Sequence, residues 1–224
     1  MKLFNSRKNK PVIVCFHGFG RRRSDEFIPL VKAFKDYEVI TPNFYDLTDE
    51  TDNDWTHWIN RAESVLTDLA SDGRRIIIIG FSMGGVIASY LANKPNVEKL
   101  ILLAPAFEYI NIGNATDLVT SIFDKKEKEE SPYPEIPSSF TIAFVNLVNN
   151  CKIAVEDIHV PTCIFHGLED DVIQYSSSRK FYKKIPATEK HLFLIEDVHH
   201  RILDDSHHAK YTIECIKQFI NDEK

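Results

Sequence analysis

An α/β architecture, a mostly parallel six-stranded sheet with helices on both faces, is predicted by three features of the chain. Short apolar runs alternate with longer stretches whose apolar residues recur at helical spacing, the pattern of parallel strands joined by crossover helices. Several of the runs are continuously apolar and β-branched, as in the four consecutive isoleucines 76–79, which suits strands buried on both faces. The composition, 43% hydrophobic and 27% charged over 224 residues, fits one globular domain spanning 1–224 rather than a disordered chain.

The strands are expected at 11–18, 37–44, 74–81, 97–106, 161–167 and 190–197. Between the second and third, Trp55, Ile59, Ala62, Leu66 and Leu69 recur at three- and four-residue steps and give one helix its buried stripe. Val86, Ile87, Tyr90 and Leu91 mark a helix directly after the third run. Ala209, Ile213, Ile216 and Ile220 do the same near the end, with Asp204, Asp205 or Ser206 placed to cap that helix. Residues 108–150 break the alternation. They hold no clear buried strand, a charged and proline-punctuated stretch, and then Phe140, Phe144, Leu147 and Cys151 on one helical face. We read 108–150 as a cap insertion over the sheet; the plainer alternative is a long crossover helix.

Charge and patterning exclude several classes of function. The formal net charge of −6 offers no basic face of the kind phosphate binding requires, so neither nucleic acid nor an anionic membrane is an expected partner. No apolar run reaches the ~18 residues of a membrane span, and the N-terminal stretch does not read as a signal peptide. Cys15, Cys151, Cys163 and Cys215 form no C-x-x-C pair, which argues against a zinc knuckle or redox motif and suits a reducing cytoplasm.

The third apolar run delivers Ser82 into "GFSMGG", a G-x-S-x-G set between a strand and a helix. A nucleophile displayed there sits in a sharp, strained turn, and Gly80 and Gly84 keep side chains out of the close strand–helix contact. The serine lies over the N-terminus of its helix, where an anion is favoured. A serine hydroxyl needs a base and an orienting acid. Asp170 and Asp171 follow the fifth run in "HGLEDDVI", and His199 and His200 follow the sixth in "DVHHRILDD". All therefore fall at carboxyl ends of parallel strands, where an open sheet gathers its site. A tetrahedral oxyanion needs two N–H donors; Met83 supplies one, and the Gly18–Phe19 turn after the first run supplies the other, from Phe19. His17 and His166 each close a strand in an H-G pair, either touching substrate or, the reading we favour, hydrogen-bonding to fix the adjoining turn. Four histidines and two aspartates crowd residues 199–208, but the spacing is not H-E-x-x-H, and neither metal nor cofactor is expected.

With these pieces in order the chain resembles the α/β-hydrolases, in particular the group of small serine esterases, thioesterases and monoglyceride-lipase-like enzymes. The matching segments are "HGFG", "GFSMGG", "HGLEDDVI" and "DVHHRILDD", and the likeness runs from Pro11 to about Ile220. It lacks the family's two initial antiparallel strands, leaving a six-stranded parallel core. The resemblance implies hydrolysis of a small-molecule ester or thioester through an acyl-enzyme. Its H-G-x-x-D spacing points to Asp170 over Asp171, and its histidine before a basic residue points to His200 over His199. The expected machinery is Ser82, Asp170 and His200, with Phe19 and Met83 at the oxyanion. His17 and Gly18 stand beside the substrate. Phe140, Phe144 and Leu147 either line a small-to-medium acyl pocket or pack the cap onto the core.

Overall fold

The computed structural model describes residues 10–20, 25–108, 136–204 and 206–222. Asp205 and residues 109–135 of the expected insertion lie outside the described residues. All six expected strands are present: β1 (Val12–Phe16), β2 (Glu38–Ile40), β3 (Ile76–Phe81), β4 (Val97–Leu103), β5 (Thr162–Gly167) and β6 (Lys190–Ile195). They form one sheet in the order β2-β1-β3-β4-β5-β6, parallel throughout. β2 is shorter than the 37–44 expected, because Pro42 two residues beyond Ile40 has no N–H for a ladder.

The strand pleat sends alternate residues to two separate cores. Val12, Val14, Phe16, Ile76, Ile78, Leu100, Leu102 and Ile164 face one side. That side is covered by α2 (Trp55–Ser71), α3 (Met83–Leu91), α4 (Ser138–Cys151) and α5 (Tyr175–Tyr182). Ile13, Cys15, Ile77, Ile79, Ile101, Leu103, Cys163 and Phe165 face the other, against α1 (Ile28–Ala33) and α6 (Ser206–Asn221). A strand buried on both faces has no polar position to alternate with, which is why β3 reads as an unbroken run of isoleucines.

Each helix follows from its sequence. In α2, Asp54 accepts the Thr56 N–H as N-cap, and Trp58, Ile59, Ala62 and Leu66 form the buried stripe. Trp58, absent from the stripe read off the sequence, is its largest fully buried member and donates its indole N–H to the Asp52 carbonyl at 2.9 Å. The expected face of α4, Phe140, Phe144, Leu147 and Cys151, is fully buried. At the C-terminus of α6, Lys99 of β4 donates from Nζ to the carbonyls of Phe219 at 2.6 Å and Asp222 at 3.0 Å. A cation there satisfies carbonyls that lack helical partners and offsets the negative end of the helix dipole.

The strand order reverses beside β1. β2 lies on one side of it and β3 on the other, so connections leave in opposite directions and a crevice opens at the carboxyl ends of β1 and β3. Phe16 stands opposite Gly80, Phe81 opposite Leu103 and Gly167 opposite Ile195. The loops that follow β1, β3, β5 and β6 therefore emerge along one edge of the sheet.

Candidate active site

Ser82 stands between β3 and α3 with φ 52° and ψ −117°. A non-glycine residue with positive φ costs on the order of 1–3 kcal/mol and persists only where the surroundings over-determine it. Three backbone hydrogen bonds do so here. Ser82 N–H donates to the Leu103 carbonyl at 2.9 Å, and its own carbonyl accepts from Gly85 N–H at 3.0 Å and Ala106 N–H at 3.1 Å. The flanking glycines are set by close approach. A Cβ on Gly84 would stand 2.0 Å from the Phe16 carbonyl oxygen, and one on Gly80 would stand 2.4 Å from the Gly84 oxygen. Phe16 lies on β1, a strand paired on both sides whose backbone cannot retreat, so Gly84→Ala is expected to cost roughly 3 kcal/mol or more and lower Tm by about 10 °C. An unchanged melting curve would mean that α3 does not rest on β1 in this way.

The turn after β5 holds Asp170, and the loop after β6 holds His200. Asp170 Oδ1 accepts the Val172 and Ile173 N–H groups at 2.9 and 2.7 Å. Its Oδ2 lies 2.8 Å from His200 Nδ1 and 3.0 Å from His166 Nε2. His200 Nε2 in turn accepts from Ser82 Oγ–H at 3.1 Å. Burial alone would push the Asp170 carboxyl up, but His200 beside it and hydrogen bonds from His166 and His200 hold it well below the usual carboxylate range. Ser82, Asp170 and His200 are all buried. The two neighbours that the sequence leaves as alternatives turn outward: the side chains of Asp171 and His199 are 73% and 75% exposed and stand 4.0 Å from each other.

The turn after β1 closes the site from the other side. Gly18 lies against the serine, since a Cβ on it would meet the Phe81 ring at 3.0 Å and Ser82 Cβ at 3.4 Å. The Gly18 N–H donates to Glu26 Oε1 at 2.8 Å. Its carbonyl accepts from His17 Nδ1–H at 2.9 Å and from the Tyr45 hydroxyl at 3.2 Å. In a trans peptide the following N–H points opposite to that carbonyl, so fixing the Gly18 oxygen also fixes the direction of Phe19 N–H. Met83 N–H belongs to the first residue of α3 and has no intrahelical carbonyl to bind. The Phe19 ring stacks on Phe144 with centroids 4.8 Å apart, and Phe140 stacks on Trp58 at 5.8 Å. Leu147 is buried in the same core.

Comparison with known proteins agrees with this frame. A family model for the alpha/beta hydrolase fold matches residues 11–121, and a model for serine aminopeptidase, S33, matches 120–207. The chain is a member of the α/β-hydrolase superfamily. It is 31% identical over 169 residues to a Mycoplasma pneumoniae protein named as an esterase/lipase, covering 69% of this chain and 57% of that protein. The chain thus spans little more than half the length of that relative. It is 23% identical to a thermostable monoacylglycerol lipase of Bacillus sp. strain H-257, over 86% of this chain and 84% of the relative. Among solved structures, the Paleococcus ferrophilus monoacylglycerol lipase aligns with a TM-score of 0.74 at 13% identity, over 96% of both chains.

In this α/β-hydrolase, sequence reasoning passed over Glu26 and Tyr45, both of which hold the Gly18 peptide. Glu26 lies in a charged stretch with no motif to mark it; only the fold shows it buried beneath the turn. Tyr45 belongs to no periodic pattern. No helix among the described residues is long and apolar enough to cross a membrane.

His17 carries a pH dependence of its own. It is buried, stacked on Phe44 at 4.0 Å, and burial pushes its pKa down to about 4 against a smaller upward pull from the Gly18 carbonyl. The unfolded chain therefore binds a proton between pH 6.5 and 4 that the folded one refuses, so stability falls as pH drops through that window. The loss approaches roughly 3 kcal/mol at the lower end. Urea midpoints at pH 7 and pH 4.5 are expected to diverge less in His17→Gln than in the wild type; equal divergence would rule out His17 as the source.

Proposed function

We propose that this chain is a serine hydrolase that cleaves carboxylic esters through an acyl-enzyme, with Ser82 as nucleophile, His200 as base and Asp170 as orienting acid. The observation that carries the reading is the unbroken chain of hydrogen bonds from Ser82 Oγ through His200 to Asp170, at 3.1 and 2.8 Å. Nδ1–H of His200 is committed to a buried carboxylate, so Nε2 is the free lone pair facing the hydroxyl. His200 takes the Ser82 proton as Oγ attacks the acyl carbonyl, and the Phe19 and Met83 amides receive the oxyanion. The imidazolium then returns the proton to the leaving alcohol. Water, deprotonated by the same base, releases the acid and regenerates the serine.

The relatives named as esterase/lipase and monoacylglycerol lipase support an ester substrate, and the apolar face of α4 suits a small-to-medium or short lipid acyl chain. Phe144 is the first candidate to bound the acyl group, because its ring stacks on Phe19, whose amide faces the oxyanion in this reading. The described part of the expected cap insertion, α4, lies over the sheet through Phe140, Phe144 and Leu147. Four free cysteines, with Cys15, Cys151 and Cys163 buried, suit a reducing, cytoplasmic setting.

The test is hydrolysis of p-nitrophenyl esters from acetyl to palmitoyl, with acyl-CoA thioesters alongside. Measurable ester hydrolysis with a single chain-length optimum is expected. In Phe144→Ala that optimum is expected to move to longer chains; an unmoved optimum removes Phe144 from the pocket. Failure with every ester, in protein that also resists a fluorophosphonate, would sink the hydrolase reading.

A further inference from the structure

We propose that His166 is a positioning residue for the acid of the triad, donating from Nε2 to Asp170 Oδ2 and held from behind by Ser178, so that it governs how strongly Asp170 acts on His200. This rests on the triad reading above, but it stands on different atoms. His166 Nε2 faces two oxygens, the Ile173 carbonyl at 2.8 Å and Asp170 Oδ2 at 3.0 Å. Neither can donate, so Nε2 bears the hydrogen, bonded to the Ile173 carbonyl with the Asp170 oxygen within reach. On the far side of the ring, Nδ1 lies 2.7 Å from Ser178 Oγ of α5. His166, Ser178 and the Asp170 side chain have no solvent exposure, so each of these contacts acts without competition from water.

A histidine that only tied down the turn would need the Ile173 carbonyl alone. Here the same nitrogen also stands 3.0 Å from the oxygen that receives His200 Nδ1–H, so Asp170 has three hydrogen-bond donors and the His166 Nε2–H close beside them. Each donor draws charge from the carboxylate and stabilises its ionised form. The titratable groups facing Asp170 are His166 from β5 and His200 from the loop after β6, while α5 presents the neutral Ser178. Glu169 and Asp171 flank it in sequence and are exposed. Because the two backbone donors hold Oδ1 independently of His166, removing the imidazole leaves the carboxylate in place with less of its charge spent. His200 then meets a stronger negative partner, holds its proton more tightly and loses activity at the acid end of the pH range.

The experiment is the rate of fluorophosphonate labelling from pH 5 to 9.5 in wild type, His166→Phe, His166→Gln and Ser178→Ala, with Ser82→Ala as the blank. In His166→Phe the acid limb is expected to shift upward by about half a pH unit or more, slowing labelling at pH 6 about threefold or more while the alkaline plateau moves less. Gln carries an amide N–H near the Nε2 position, and its midpoint is expected to return toward wild type. Ser178→Ala is expected to shift in the same direction by less. A merely structural histidine would lower Tm and leave the midpoint alone. An unmoved or lowered midpoint in folded His166→Phe overturns the proposal, as does a Gln variant no closer to wild type than Phe. If His166→Phe does not fold, Ser178→Ala decides: an unmoved midpoint overturns it. Labelling that persists in Ser82→Ala would instead defeat the triad reading. In that case the imidazole titration of His200, followed by NMR in the same variants, tests the contact directly, and an unshifted titration overturns it.

Discussion

Replacing Ser82 with alanine is expected to lower kcat by on the order of 10⁴ to 10⁶-fold and to abolish fluorophosphonate labelling, with the melting temperature unchanged or raised. The expected size follows from the geometry. In the proposed mechanism this hydroxyl both attacks the acyl carbon and passes its proton to His200, 3.1 Å away, so on that reading nothing in the variant can form the acyl-enzyme. On the same reading, what survives is the stabilisation that bound substrate would receive from the two proposed oxyanion amides, worth a few powers of ten over water. The stability gain arises because alanine leaves no hydroxyl to bury at this nearly closed position. The φ of 52° remains, and alanine meets the same strain as serine, so relief is partial. Retention of more than about one per cent of wild-type kcat would move the nucleophile to another residue.

Asp170→Asn is expected to cost about 10⁴-fold in kcat, for a reason specific to this carboxylate. The two oxygens are not equivalent: Oδ1 faces two backbone donors, Val172 and Ile173 N–H, and Oδ2 faces two imidazole N–H groups. An asparagine can satisfy only one pair with its oxygen. If the oxygen stays on the backbone, its NH₂ points at His200 and His166 and clashes with both hydrogens. His200 then turns to the tautomer protonated at Nε2, which presents a hydrogen to Ser82 instead of a lone pair. If the oxygen turns to the histidines, the NH₂ meets two N–H donors and the turn after β5 loses its anchor. Either arrangement leaves a buried donor unpaired, so a drop in thermal stability is expected with the loss of rate. The two are separated by measuring kcat well below the melting temperature; a loss of less than tenfold there would remove Asp170 from the mechanism. Asp171→Asn, on an exposed side chain, is expected to change kcat by less than about twofold.

The parts of this fold that were legible in the sequence are those with local causes. Ile76–Ile79 reads as a buried strand because a sheet covered on both faces leaves no polar position, and the glycines around Ser82 form a local G-x-S-x-G pattern, although the contact that requires Gly84 comes from Phe16 on β1. The α2 stripe is periodic, though the reading missed Trp58, whose polar indole N–H finds a carbonyl that only the folded loop presents. The choice of Asp170 over Asp171 could not come from composition, since both carboxylates follow the same strand; it depends on which one the turn folds inward. Glu26 and Tyr45 were illegible for a different reason. Each acts on the Gly18 peptide across a chain separation of 8 or 27 residues, and no periodicity records a hydrogen bond to a loop backbone. His166 reads from the sequence as fixing its turn, and it does bond the Ile173 carbonyl there; that its Nε2 also stands 3.0 Å from Asp170 Oδ2 depends on how the turn folds back over the ring.

The placement of His200 bears on how the molecule comes apart and reassembles. Ser82 and His200 are 118 residues apart in the chain, and His200 hangs from β6, which pairs with β5 alone at the margin of the sheet. A marginal strand can detach without dismantling the centre, so β6 and α6 form the natural unit for partial opening. Such an opening would carry off His200, the proposed base, and leave the Ser82 and Gly18 turns and the Asp170 carboxylate standing. Amide exchange along β6 should therefore set a ceiling on how long the molecule stays continuously competent. During refolding the central strands can assemble first, and nucleophilic reactivity is the late signal that the last strand has docked.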